Sequence, residues 1–169
     1  MSALPSYPLE QIIDVKKKRV EEAEALVKKR EKELDVEREK LRRAEAERDK
    51  VQQHLEDKIL QLRRELDEGT TSDKIIAAKR YIEVVKERLE VEEKKVQQQK
   101  ARVAEAEQRL AEAKEEVKER RKEVEKIQTH KKEWIKEQLK ELEMLEIREQ
   151  DEIGQIIYLR TLRERKERG

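Results

Sequence analysis

Residues 67–73 read Asp67-Glu68-Gly69-Thr70-Thr71-Ser72-Asp73, the only turn-like stretch after residue 8. On both sides of it, apolar residues recur every seven positions. Upstream the series is Ile13, Val20, Val27, Leu34, Leu41, Arg48, Leu55 and Leu62. Downstream it is Ile75, Ile82, Leu89, Val96, Val103, Leu110, Val117 and Val124. Only Arg48 interrupts the pattern, and a seven-residue apolar repeat is the signature of a coiled-coil seam. Gly69 suits a left-handed helix C-cap. Ser72 or Asp73 suits an N-cap, where a side-chain oxygen accepts an orphan backbone N–H. At the other end, Ser6 or Tyr7 is the expected cap, with Pro8 in the first helical turn. The expectation for residues 1–169 is therefore an all-α chain forming one antiparallel coiled-coil hairpin. Helix 1 covers about 9–66, the turn 67–73, and a longer helix 2 about 74–166, ending in a C-terminal overhang.

Composition favours the same fold. The chain has 169 residues, of which half are charged, yet the net charge is only +1. Apolar residues make up 34%, too few to fill an ordinary globular core. Such a composition also fits disorder. Against disorder, no proline follows Pro8, and the abundant residues are strong helix formers. Cysteine is absent, which excludes a disulfide framework and a thiolate zinc site. No apolar run approaches the ~20 residues of a membrane span and no signal peptide leads the chain, so a cytoplasmic location is expected.

A turn centred near Thr70 sets the register. Residue i should face roughly residue 140−i, which places every helix-1 a position on a helix-2 d position. Ile13 then faces Ile127, Leu34 faces Ala106, and Val51 faces Leu89. Arg48 meets Glu92, an expected polar pair in the seam that would fix register. Exposed faces carry Glu→Lys/Arg pairs four apart, such as Glu39–Arg43, which solvate the surface.

The helices are unequal: at 1.5 Å per residue, helix 1 is about 85–90 Å long and helix 2 about 140 Å. Leu9 faces residue 131, so the sequence beyond Trp134 has no intramolecular partner. That overhang is apolar, holding Ile135, Leu139, Leu142, Leu145, Ile153, Ile156, Ile157 and Leu162. Its heptad frame slips by four residues at Lys131–Ile135, and Gly154 is a candidate hinge. Exposed apolar stretches of this kind mark interfaces. Trp134 faces the segment around residue 6, either as a plug against Pro5, Tyr7 and Pro8 or as an anchor for a partner. A first candidate partner-binding surface is thus the open end and tail: Leu9, Ile12, Ile13 and Trp134 with the overhang residues. A second lies off the seam near the turn: Leu60, Ile76, Tyr81 and Val84.

No catalytic, cofactor or metal site is expected. His54 and His130 fall near opposite ends of the hairpin, and three scattered glycines cannot form a phosphate loop. The C-terminal stretch 158–168 carries five positive and two negative charges. That mixture reads as charge favourable at a helix C-terminus rather than a nucleic-acid surface. Mixed charge on the polar faces also argues against a membrane-surface helix, leaving the chain peripheral to a membrane at most.

The opening string, Tyr7-Pro8-Leu9-Glu10-Gln11-Ile12-Ile13-Asp14-Val15-Lys16-Lys17-Lys18-Arg19-Val20-Glu21-Glu22-Ala23-Glu24, resembles that of the YscO/FliJ family of type III secretion proteins. Size, the single tight turn and the longer second helix resemble it too. The resemblance implies a non-enzymatic coiled coil similar to the two-helix shaft of a rotary-ATPase gamma subunit. It implies a central stalk for the hexameric export ATPase, assisting its assembly and activity. Further partners implied are the export gate protein, secretion chaperones and the needle-length ruler, with a location at the inner-membrane face. Leu9, Ile12, Ile13, Trp134 and the tail match the shaft end that enters the ring. Leu60, Ile76, Tyr81 and Val84 match where flagellar members meet the export gate, though only Tyr81 is aromatic here. The competing reading is a structural tether or homo-oligomer with no ATPase role, against an expected monomer.

Overall fold

The computed structural model describes residues 4–169; the expected hairpin span also included residues 1–3, which lie outside the described residues. Two helices account for nearly all of it. Helix α1 runs Glu10–Glu68 (59 residues) and α2 runs Ser72–Arg168 (97 residues). They pack as an antiparallel hairpin with no strand among the described residues.

The turn is shorter than the expected seven residues, because α1 continues through Glu68 and α2 begins at Ser72. Gly69 alone makes the reversal, at φ 87°, a left-handed conformation that costs glycine little. Thr71 is the N-cap: its carbonyl accepts from Ile75 N at 3.1 Å, one position before the expected cap. The start of α1 also differs from expectation. Tyr7 carbonyl accepts from Glu10 N at 3.2 Å, closing a β-turn with Pro8 in its second position, where its fixed φ fits. Leu9 carbonyl then accepts from Ile12 N and Ile13 N, at 3.0 and 3.2 Å. Leu9 is thus the N-cap and Pro8 lies outside the helix. Leu9 offers no side-chain acceptor, and Glu10 in the first turn supplies the negative charge that a helix N-terminus favours.

The chain divides into two compact units, residues 22–117 and residues 4–21 with 118–169. In the first, the buried apolar side chains are Ala23, Leu34, Ile82, Val85, Val96, Ala113 and Val117. Val85 and Val96 are each only 1% exposed. In the second, Tyr7 and Ile13 are buried. Within each unit, every a and d position between Ile13 and Trp134 is buried or half-buried, so the heptads define a narrow seam there.

The polar layer in the seam differs from expectation. Arg48 does not reach Glu92. Its guanidinium turns outward to Asp49 (3.0 Å), while Glu92 pairs with Lys95 on its own helix (3.3 Å). A buried cross-helix polar contact comes instead from Gln99, whose side-chain amide donates to the Glu37 carbonyl (3.0 Å) and to its carboxylate. Length explains the switch. An arginine stem is long enough to carry its charge out to water. Gln99 is too short to do so and is 8% exposed, so it must find acceptors on the facing helix.

Candidate protein-interaction surfaces

The open end is built around an aromatic plug. Tyr7 is 6% exposed, although it precedes α1, because the β-turn folds it back against α2. Its ring meets the Trp134 indole edge-on, with centroids 5.4 Å apart and planes at 64°. Its hydroxyl is hydrogen-bonded to His130 Nδ1, one turn earlier on α2. Trp134 therefore serves as the plug, with Tyr7 as its partner. Two ion pairs clamp the same end: Lys131–Glu10 at 2.7 Å and Lys16–Glu123 at 3.4 Å. Arg120 also reaches Glu123, at 3.4 Å. Partial burial of Glu123 raises its pKa, but Lys16 and Arg120 outweigh this and hold the carboxyl below its ordinary value.

The residues expected at this end do not all face outward. Ile12 is exposed, Leu9 and Trp134 are half-buried, and Ile13 is 3% exposed in the seam. Ile13 therefore supports this end from beneath, because it holds an a position that α2 covers.

Beyond Trp134 the burial pattern fades. Ile135, Gln138 and Leu142 are half-buried, at the spacing of the four-residue slip. From residue 143 onward every residue except Leu162 is exposed. Leu139, Leu145, Ile153, Ile156 and Ile157 each show half or more of their surface to solvent, as do Met144, Ile147, Tyr158 and Leu159. α2 stays helical through Gly154, so no hinge forms there.

Near the turn, all four expected residues are exposed, but they do not share one face. At about 100° per residue, Tyr81 and Val84 lie about 60° apart on α2, while Ile76 lies about 140° from Tyr81. Leu60 is about 120° around α1 from His54, the residue that touches Tyr81. Val84 thus lies between Tyr81 and Ile76 on α2, about 60° from one and about 80° from the other, while Leu60 stands away from the His54–Tyr81 contact on α1. Tyr81 is anchored: its hydroxyl is 2.8 Å from His54 Nε2, the two rings meet edge-on, and Lys58 Nζ stands 5.7 Å from the ring centroid. A shallow groove beside it is lined by Lys58, Gln61, Lys74 and Ala77. The sequence reading missed His54 as its partner. The signal was present, since both residues occupy g positions, which flank the same side of an antiparallel pair.

Among the described residues, no group of three or more His, Asp or Glu is placed to hold a metal, and no helix is long and apolar enough to cross a membrane. The surface carries exposed apolar residues, aromatic contacts and paired charges.

Comparison with known proteins gives this two-helix architecture a family. The YscO-like protein family matches residues 4–165, and the chain belongs to it. Its fold is similar to that of a YscO homolog from Chlamydia trachomatis, with 50% identity and a TM-score of 0.87. That match covers 91% of this chain and 95% of the other. The structure of the Chlamydia pneumoniae CdsV and CdsO protein complex contains a chain of 50% identity that covers 50% of this one and 98% of its own length, at a TM-score of 0.48. No curated protein sequence matches the chain. The protein is accordingly a component of type III secretion, in a family of non-enzymatic members.

Proposed function

We propose that this chain is the central-stalk or adaptor component of a type III export apparatus, and that its open end and α2 tail bind the hexameric export ATPase. The observation that carries this reading is the tail. In a member of the YscO-like family, α2 outruns α1 and presents apolar side chains that are exposed among the described residues. The contact surface comprises Leu9, Ile12 and Trp134 with Ile135, Leu139, Leu142, Leu145, Ile153, Ile156, Ile157 and Leu162; Ile13 packs behind it. Near the turn, Tyr81 and Val84 form the face offered to the export gate protein. Secretion chaperones and the needle-length ruler are further partners that the family reading implies.

The mechanism needs no chemistry from the stalk. One asymmetric hairpin inside a six-fold ring makes different contacts with each subunit. Differential contacts shift each subunit's conformational equilibrium, which promotes ring assembly and turnover. The test is binding of the export ATPase to the full-length chain and to the full-length Ile153→Asp/Ile156→Asp variant. Retention by the native chain and loss by the variant support the reading. Equal retention by both removes the tail from the interface.

A further inference from the structure

We propose that the free tail of α2 also binds a second copy of itself, as an antiparallel two-helix dimer. Three observations on the tail lead there. The first is continuity with the hairpin seam. Ile135, Leu142, Leu145, Ile153 and Ile156 fall within an arc of about 120° on α2, in line with the half-buried positions that precede them. Beyond Lys131, which pairs with Glu10 at the start of α1, the arc emerges, and Leu145, Ile153 and Ile156 on it are exposed.

The second observation is the charge inside that arc. Glu146, Glu149 and Arg160 stand among the apolar residues, on the same side of the helix. A wholly apolar partner groove would strand Glu146 and Glu149, whereas Arg160 keeps Glu164 on its own helix at 3.6 Å, and a buried unpaired charge is strongly unfavourable. The favoured occupant therefore brings positive charge close to the acidic part of the arc.

The third observation is that the two halves of the tail carry opposite net charge. Residues 137–152 carry seven acidic and two basic side chains, a net charge of −5. Residues 153–168 carry five basic and two acidic, a net charge of +3. If the uncovered stretch 135–168 pairs fully with its antiparallel copy, residue i of one chain faces about residue 303−i of its partner. Arg160 then lies within a turn of the Glu143 and Glu146 positions of the second copy, twice by symmetry. A parallel pairing would set acid on acid and base on base. This proposal stands apart from the ATPase reading. The two uses of the tail exclude one another, so the dimer is the form of the unengaged chain.

The test is sedimentation equilibrium of the full-length protein, alone and as two charge-reversed variants: Glu143→Lys/Glu146→Lys/Glu149→Lys and Arg160→Glu/Arg163→Glu. The native chain should approach twice its 20.4 kDa mass at micromolar concentration and dissociate as salt rises. Each variant alone should dimerise about ten-fold more weakly, and an equimolar mixture of the two should recover association. Far-ultraviolet circular dichroism, unchanged in both variants, establishes that the hairpin persists. A native chain that stays monomeric overturns the proposal. So does a mixture that associates no better than either variant alone.

Discussion

Leu34 and Val36 are two residues apart on α1, and the account separates them completely. Leu34 is 4% exposed at an a position, whereas Val36 is 53% exposed on the outer face. Leu34→Ala removes buried apolar volume from a seam only two helices thick. Buried Leu→Ala changes cost about 2–5 kcal/mol, according to how far the site can collapse. Long flexible side chains rim this seam, among them Arg30 and Arg38, so partial collapse is available and a cost of about 2–3 kcal/mol follows. Val36→Ala removes nothing from the seam and replaces a β-branched residue by the best helix former, a gain of up to about 0.6 kcal/mol. For a chain of this size, the first change lowers Tm by about 4–12 °C and the second raises it by about 1–2 °C. Thermal unfolding followed by circular dichroism at 222 nm reads both. Equal destabilisation by the two substitutions would show that the heptad positions do not define the core.

Three further outcomes follow from single features. Gly69→Ala forces a side chain into φ 87° and should destabilise the hairpin by about 1–2 kcal/mol, measured by urea denaturation. Gly154→Ala should do the opposite: an added Cβ meets nothing within 4 Å, so the change stabilises the tail helix by about 0.5–1 kcal/mol, seen as slower amide exchange over residues 150–160. Glu37 and Glu33 are held below the ordinary glutamate value of 4.5, chiefly by hydrogen bonds from Gln99 and Arg30 respectively. A lowered folded pKa contributes stability above the unfolded value and loses it as pH falls through the folded one. Melting temperature should therefore hold down to about pH 4.5 and drop below it, and Gln99→Leu should make that acid drop shallower.

The seam was legible because fifteen of the sixteen a positions are apolar in a chain half of whose residues are charged. The a and d positions from Ile13 to Trp134 could be assigned before any coordinates, and all are at least half-buried. The Tyr7–Trp134 plug was legible too, since a lone indole opposite an aromatic-proline segment has few other places to pack. The identity of the polar layer was not. Spacing alone pairs Arg48 with Glu92, but spacing does not say that a long guanidinium reaches water beside Asp49 while a short amide such as Gln99 stays inside. The spread of the near-turn residues was legible as well, since 100° per residue already places Ile76 about 140° from Tyr81 and Leu60 about 120° from His54.

The central claim is that the hairpin acts on the export ATPase through its uncovered tail. The most direct measurement is the ATPase rate of the hexameric export ATPase, titrated with the full-length chain and with its Ile153→Asp/Ile156→Asp variant. The account requires stimulation that saturates near one chain per six ATPase subunits and is lost with the variant. A rate unchanged by the native chain, or raised equally by both, contradicts it.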